Sequence, residues 1–301
     1  MSSVRLATEA EKRARDRLTF AAWGAKLGVD EYLAREVRLR AHAWARSAMR
    51  TWVLADGREI LASLETFSAR AFLDRRPIVV ELLASVFTEP ALRRRGYSTR
   101  LVDGLVRHLE AEARASAVIL YSEIGAAQYE RSGFVSVRSE EHPAPATSDA
   151  VAVDRWVREG EVRCADVVPD LPGLVVAPTG DQLDWHLERE RVYRERLGRP
   201  ALAAYGCAVG RARGIWAADW KADRLVVLAA IAEDGLDRVM AAAAAVAGEA
   251  GLREVSLWAT DALVSQSALP TRRRDHELTM IRPLRPDCSP VLGFVQRGAW
   301  V

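Results

Sequence analysis

The sequence predicts an α+β protein made of two blocks with the same internal order. Two observations carry that reading. Residues 51–123 and 205–260 each place alternating apolar strands before a helix and then a further apolar strand. Between them, composition shifts over 139–150 ("SEEHPAPATSDA") to Pro, Ala, Ser and Thr, which reads as a loop or linker. With 301 residues, half of them apolar and 28% charged, the chain can bury a substantial core and is long enough for two ordinary domains.

The elements follow in order. "VRLATEAE" reads as a short strand running into a helix start, and helical spacing covers 10–24 and 30–49, with Asp30 as the expected N-cap. "TWVLADGREILASLETF" is a hairpin, because apolar alternation flanks an Asp56-Gly57 turn. "PIVVELLASVF" is continuously apolar, as a strand at a sheet centre is. A helix to about Ala115, the strand "AVILYSE", a short helix stopped at Gly133 and the strand "FVSVR" complete the first block. In the second, a strand precedes a helix capped near Thr179 or Asp181. Two or three strands, an Ala-rich helix and the strand "LREVSLWAT" follow, and the tail is expected to be extended. The expected division is a first domain over 1–138, a linker over 139–160 and a second domain over 161–301. The repeated order is that of a degenerate internal duplication whose second copy lacks the charged loop described below.

Composition narrows the functional classes. A formal net charge of +2 gives no global field toward nucleic acid or membrane, and the lysines are confined to Lys12, Lys26 and Lys221. Cys164, Cys207 and Cys288 are widely spaced without a CxxC, so neither a disulfide framework nor a zinc site is expected. The first residues lack a signal-peptide apolar core, and the longest apolar stretch is broken by Glu249. A cytoplasmic protein without a metal is the working expectation.

The chemistry concentrates in "EPALRRRGYSTRLVDGLV", residues 89–106. An apolar strand, three arginines and a glycine lead directly into a helix. A helix start carries unsatisfied N–H groups and the positive end of the dipole, and glycine admits close approach, so the segment is an anion cradle. Neither GxxxxGK[ST] nor GxGxxG occurs there, which excludes a P-loop and a Rossmann site. What fits is R-x-x-G-x-[small], at Arg93, Gly96 and Ser98. Downstream, "AAQYERSGF" supplies Y-x-x-x-G-F after the intervening strand.

This pair of landmarks, in this order, resembles the GNAT superfamily of acetyl-CoA-dependent N-acetyltransferases, with Ser98 where the family usually has Gly or Ala. "ILYSEIGAAQYERSGF" further resembles the fungal lysine N6-acetyltransferases, as do "DWHLERE", "WAADW", "VSLWAT" and "MIRPLRP" in the second block. The ending "VQRGAWV" departs from that group's more acidic tail. The resemblance implies the GNAT fold, a mixed central sheet flanked by helices, followed by a second, smaller α+β domain over the acceptor site.

The resemblance also implies roles. Backbone groups of Val86, Phe87 and Thr88 would pair with the pantetheine arm. Backbone N–H groups of Arg94, Arg95, Gly96, Tyr97, Ser98 and Thr99 would hold the pyrophosphate, with Arg93, Arg94 and Arg95 adding charge. Ser122 stands where many members contact the pantetheine. Tyr129 is the candidate general acid for the leaving thiolate. Glu81, a carboxylate inside an apolar strand, is either a general base with a raised pKa or a structural acid satisfied by an arginine. Glu123 is a candidate for a substrate ammonium. The loop residue His142 is taken as solvated, with a cleft between the blocks as its other place. The Arg272–Arg274 run is an exposed loop or a site for a substrate carboxylate. The tryptophans of the second block are chiefly packing, with an aromatic wall for the substrate as the alternative. The implied reaction is acetyl transfer from acetyl-CoA to a small-molecule primary amine, foremost the lysine side chain. An antibiotic or other metabolite as acceptor, and a catalytically idle acyl-CoA sensor, stay open at this point.

Overall fold

Local capping chemistry sets where the first helices begin and end. β1 (Ser3–Leu6) leads into α1 (Glu9–Trp23), which Thr8 and Glu11 open with a reciprocal capping box. The helical spacing over 30–49 resolves into α2 (Val29–Ala41) and α3 (Ala43–Ala48), because His42 leaves the helical region and its Nδ1 accepts from the Trp44 N–H. Asp30 is not the cap. It lies in the first turn of α2, while Gly28 is the N-cap and donates its N–H to the Glu31 carboxylate at 2.7 Å. The computed structural model describes residues 2–301 other than 139, 166, 167, 169, 170, 233, 259–267, 289–291 and 295. The ends of two expected strands, Ala259–Thr260 and Val291, therefore lie outside the described residues.

The predicted hairpin is formed by β2 (Met49–Asp56) and β3 (Glu59–Leu73), with Gly57 at φ +58 in the turn. β4 (Arg76–Phe87) pairs antiparallel with β3. α4 (Tyr97–Glu112) then crosses back, so β5 (Ala117–Ser122), buried throughout, lies parallel to β4. α5 (Ala127–Glu130) and β6 (Val135–Ser136) follow, with Gly133 at φ +77 turning the chain between them.

The segment expected as a linker contains a strand, β7 (Glu140–Pro145). Its prolines obscured it. Ala146 donates its N–H to Arg253 beside this strand's partner, so positions 143 and 145 alternate toward the edge where no ladder bond is needed. β8 (Arg155–Val157) and β9 (Leu174–Val176) precede α6 (Gly180–Arg196), which Thr179 caps by accepting from the Gln182 N–H. β10 (Gly206–Val209), β11 (Ala212–Asp219), β12 (Arg224–Ile231), α7 (Leu236–Glu249) and β13 (Glu254–Trp258) continue the chain. β14 (Arg272–Arg273), β15 (Leu278–Pro283) and β16 (Leu292–Phe294) end it.

The internal repetition is visible in the pairing. β11 and β12 are antiparallel, α7 crosses back, and β13 is parallel to β12, which repeats β3, β4, α4 and β5. The two sheets exchange strands. The first runs β1-β2-β3-β4-β5-β15-β6, and the second β14-β7-β13-β12-β11-β10-β8. β15 therefore covers the outer edge of β5, and β7 covers that of β13. This exchange crosses the expected division at 138 and 160.

Rings join the two halves. Trp44 of α3, Phe67 of β3 and Trp185 of α6 stand with centroids 5.4–5.5 Å apart. Trp185, Trp216, Trp220 and Trp258 are buried as the packing reading expects, and Trp156 is half-buried. Among the described residues no helix is long and apolar enough to cross a membrane.

Candidate active site

The parting of two strands makes the central cleft. β4 and β5 pair only from Glu81↔Val118 to Leu83↔Leu120, and beyond that point β4 runs on to Phe87 without β5 beside it. A bulge against β3 helps to drive the divergence: Ser63 pairs with Phe87 and Glu65 with Ala84, which leaves Ser85 and Val86 opposite the single Leu64. Ser85 takes the strained value φ +54. A cleft of about 220 Å³ opens there, lined by Leu83 to Val86 on one side and Leu120 and Tyr121 on the other. Val86 lines it directly. Phe87 is buried and packs edge-on against Trp23, and the Thr88 carbonyl accepts from Arg93 Nε at 3.1 Å.

The loop beyond is shaped for an anion. Arg94 and Gly96 both have positive φ, +63 and +74, an alternation that turns successive N–H groups inward. No side chain caps α4 at Gly96, so the first-turn amides of Tyr97, Ser98 and Thr99 are left open. A Cβ on Gly96 would meet nothing within 4 Å, so the space above the loop is free. Arg93, Arg94 and Arg95 are exposed around it. Gln128 Nε2 donates to Ser98 Oγ at 3.1 Å and Thr99 Oγ1 at 3.0 Å, which ties α5 to this turn and leaves both hydroxyl protons available. These features fit the pyrophosphate of a coenzyme A ester.

Tyr129, the residue next to Gln128, lines the cleft. Its ring is buried and packs edge-on against Phe134 at 6.0 Å, and its hydroxyl has no hydrogen-bond partner among the described residues. Burial, with the nearby charge of Glu123, pushes the phenol up to about 12. Glu123 also lines the cleft, is exposed, and has no ion-pair partner among the described residues.

Two expected residues lie elsewhere. Glu81 is outside the cleft lining. It is buried at the paired part of β4, accepts from the Ser68 hydroxyl, and feels Arg50 and Glu112. Burial raises its pKa, as the sequence suggested, but the strand pairing that buries it also holds it away from the open end of the sheet. Ser122 is buried and donates its hydroxyl to the Gly125 carbonyl, which fixes the turn into α5 instead of facing the cleft. His142 is not a loop residue either: it is buried in β7 with Nδ1 3.1 Å from the Pro270 carbonyl. Nor is the 272–274 run a free loop. Arg272 pairs with Glu141 at 2.7 Å, and Arg274 lies 3.7 Å over the Trp258 ring.

Several cleft residues escape sequence reasoning. Arg15 of α1 meets Glu65 of β3 at 2.8 Å, and Arg35 meets Glu36 at 2.6 Å within α2. Burial pushes the Glu65 carboxyl up against the pull of Arg15. The legible signal was Arg15, Asp16 and Thr19 on one helical face of α1, polar residues where a core-facing stripe belongs.

Beyond Trp300 the cleft continues into a second chamber of about 90 Å³, with which it shares Arg189, Lys221 and Trp300. His186 lines this chamber, with Nε2 2.9 Å from the Gly298 carbonyl. Burial, reinforced by Arg189 and Arg297, pulls its pKa down to about 3. In the unfolded chain an imidazole titrates near 6.5, so below that pH only the unfolded state gains the proton. Stability is therefore lost as pH falls from about 6.5 toward 3. At pH 5 the loss from this one group is about 2 kcal/mol. Urea unfolding at pH 7.5 and pH 5 should show it as a smaller acid penalty in His186→Gln than in the wild type. Equal penalties in the two proteins would disprove the assignment.

No cluster of three or more His, Cys, Asp or Glu that could hold a metal occurs among the described residues. Two family models match the sequence. One, described as an acetyltransferase (GNAT) domain, matches residues 3–136, and the other, described as a LYC1 GNAT-like C-terminal domain, matches residues 157–279. No curated protein matches the sequence. Among solved structures, a probable N-acyltransferase from Enterococcus faecalis superposes with a TM-score of 0.60 at 12% identity, over 95% of this chain and 73% of that one. A GCN5-related N-acetyltransferase from Anabaena variabilis gives 0.60 at 11% identity, over 95% and 73%. Another from Kribbella flavida gives 0.55 at 14%, over 94% and 72%. At these identities the likeness is one of fold.

Proposed function

The chain belongs to the GNAT superfamily of acetyltransferases, and from that membership we propose that it moves the acetyl group of acetyl-CoA to a small primary amine, foremost the side-chain amine of lysine. The single observation that carries this reading is Tyr129, its hydroxyl unengaged, standing in the cleft where β4 and β5 part and tied through Gln128 to the open start of α4.

Acetyl-CoA supplies the thioester. The chain supplies position, charge and a proton. The edge of β4 from Ser85 to Phe87, where β5 no longer pairs, offers ladder positions to an extended arm, as an added strand would use them. The amides of Tyr97, Ser98 and Thr99, with Arg93 to Arg95 around them, neutralise the pyrophosphate. The second block repeats this helix start at Gly235, with φ +76, but its loop reads "AEDG", and acids there repel an anion. Only the first block therefore serves the cofactor.

Glu123 draws the ammonium form of the acceptor to the cleft and stabilises its approach. Tyr129 stays protonated at neutral pH, because its pKa is about 12, and gives its proton to the departing thiolate. Glu81, buried and outside the cleft lining, is not assigned as the base. The amine loses its proton to bulk solvent at the cleft, where Glu123 is exposed.

Thiol release from acetyl-CoA, followed against lysine, ornithine, polyamines and aminoglycosides, tests the reading. Turnover of lysine at its side-chain nitrogen is the expected result. Turnover of aminoglycosides alone would replace lysine with an antibiotic acceptor. Tight coenzyme binding with no turnover across the panel would make the protein a sensor.

A further inference from the structure

The passage between the two chambers carries two cations that have no close acid partner among the described residues. Arg189 of α6 and Lys221, in the turn after β11, line both chambers. The Arg189 guanidinium rests 4.8 Å over the Trp185 ring, and Lys221 Nζ lies 5.4 Å over the Tyr193 ring. Neither cation makes an ion pair within 4.0 Å among the described residues; Asp219 attracts both, and Glu36 attracts Arg189, only from farther away.

The acids nearby are already committed. Glu36 holds Arg35 at 2.6 Å. Glu190 accepts from Trp220 Nε1 at 2.8 Å and faces Arg194 at 3.5 Å. Asp219 accepts the N–H groups of Lys221 and Ala222 and lies 3.6 Å from Arg224. Arg189, half-buried, and Lys221, exposed, are thus left without a close counter-ion, a place that an anion in the cleft would fill. Neither Tyr129 nor Glu123 lines the second chamber. The cleft is therefore polar along its length, with an unpaired acid beside the candidate acid catalyst and unpaired cations where it narrows toward the second chamber.

We propose that Arg189 and Lys221 bind a carboxylate on the acceptor, so that the cleft selects small amines carrying a carboxylate at the end remote from the reacting nitrogen. This rests on the acetyl-transfer reading for the identity of the other end. The planar fork of Arg189, held on Trp185, suits the two oxygens of a carboxylate, and Lys221 adds a point charge.

Calorimetry in the presence of coenzyme A tests the site without relying on turnover. The probes are Nε-acetyllysine and N-acetylcadaverine, which differ only by the carboxylate. The wild type should bind the first at least about tenfold more tightly, the worth of a charge-assisted hydrogen bond. In Arg189→Gln the ratio should fall to within about twofold, and Arg189→Lys should restore part of it. Lys221→Met, at an exposed position, should reduce the ratio in the same direction and decides the matter if Arg189→Gln does not fold. A wild-type ratio near one, binding of neither probe, or a ratio unchanged in the folded variants would overturn the proposal. Thiol release with lysine and cadaverine, run alongside, separates the two readings. Carboxylate-dependent binding without thiol release would end the transfer reading and leave the carboxylate site standing.

Discussion

Tyr129→Phe should lower kcat by about 10² to 10³-fold, the range of a lost general acid. The dissociation constant for coenzyme A should change by less than about twofold, because the hydroxyl makes no contact that holds the loop or the sheet. The substitution keeps the ring and its packing on Phe134. A pH profile sharpens the test. With the phenol near 12, Tyr129 remains a donor through the neutral range, so the wild-type rate should climb with pH as the amine deprotonates, and no descending limb from this group should appear below about pH 11. Glu81→Gln is the contrast. It keeps a partner for Ser68 and should leave kcat within about threefold. A loss like that of Tyr129→Phe would restore Glu81 as the base.

Gly96→Val should weaken coenzyme A binding by at least about 30-fold. A β-branched residue at φ +74 costs about 1–2 kcal/mol, and its side chain would stand in the space the pyrophosphate needs. The site is exposed, so the folded state should survive with a melting temperature only a few degrees lower. A titration of coenzyme A into the variant is the measurement. Binding within threefold of wild type would mean that the phosphates lie elsewhere.

The parts that were legible in the sequence are those whose chemistry is local. The Arg93–Thr99 loop, the Asp56-Gly57 hairpin and the Tyr129–Phe134 turn are each written within a dozen residues, and each adopts the expected shape. Glu81 was read correctly as buried, and its place outside the cleft lining favours the structural acid over the general base of its two readings, since burial is a property of the strand while cleft access depends on where β4 leaves β5. Ser122 was misplaced for the same reason: the turn that claims its hydroxyl is three residues away, in a direction the strand pattern does not state. Arg15, Glu65, Arg189 and Lys221 meet only because α1, β3, α6 and the turn after β11 converge. On α6, only packing reveals that most of the helix is enclosed.

The strand exchange bears on how the protein is made. β5, buried along its whole length, waits for β15 to cover its outer edge, and β15 is encoded near the far end of the chain. During synthesis the nascent first sheet carries that bare apolar edge while residues 123–277 are still being added, roughly 10–30 s at ordinary elongation rates. For that interval the emerging chain presents an edge of the kind a holding chaperone covers. Its yield in the cell should then respond to translation speed: a slow codon run late in the message is expected to lower soluble expression, and an unchanged yield would mean that the edge is covered in another way.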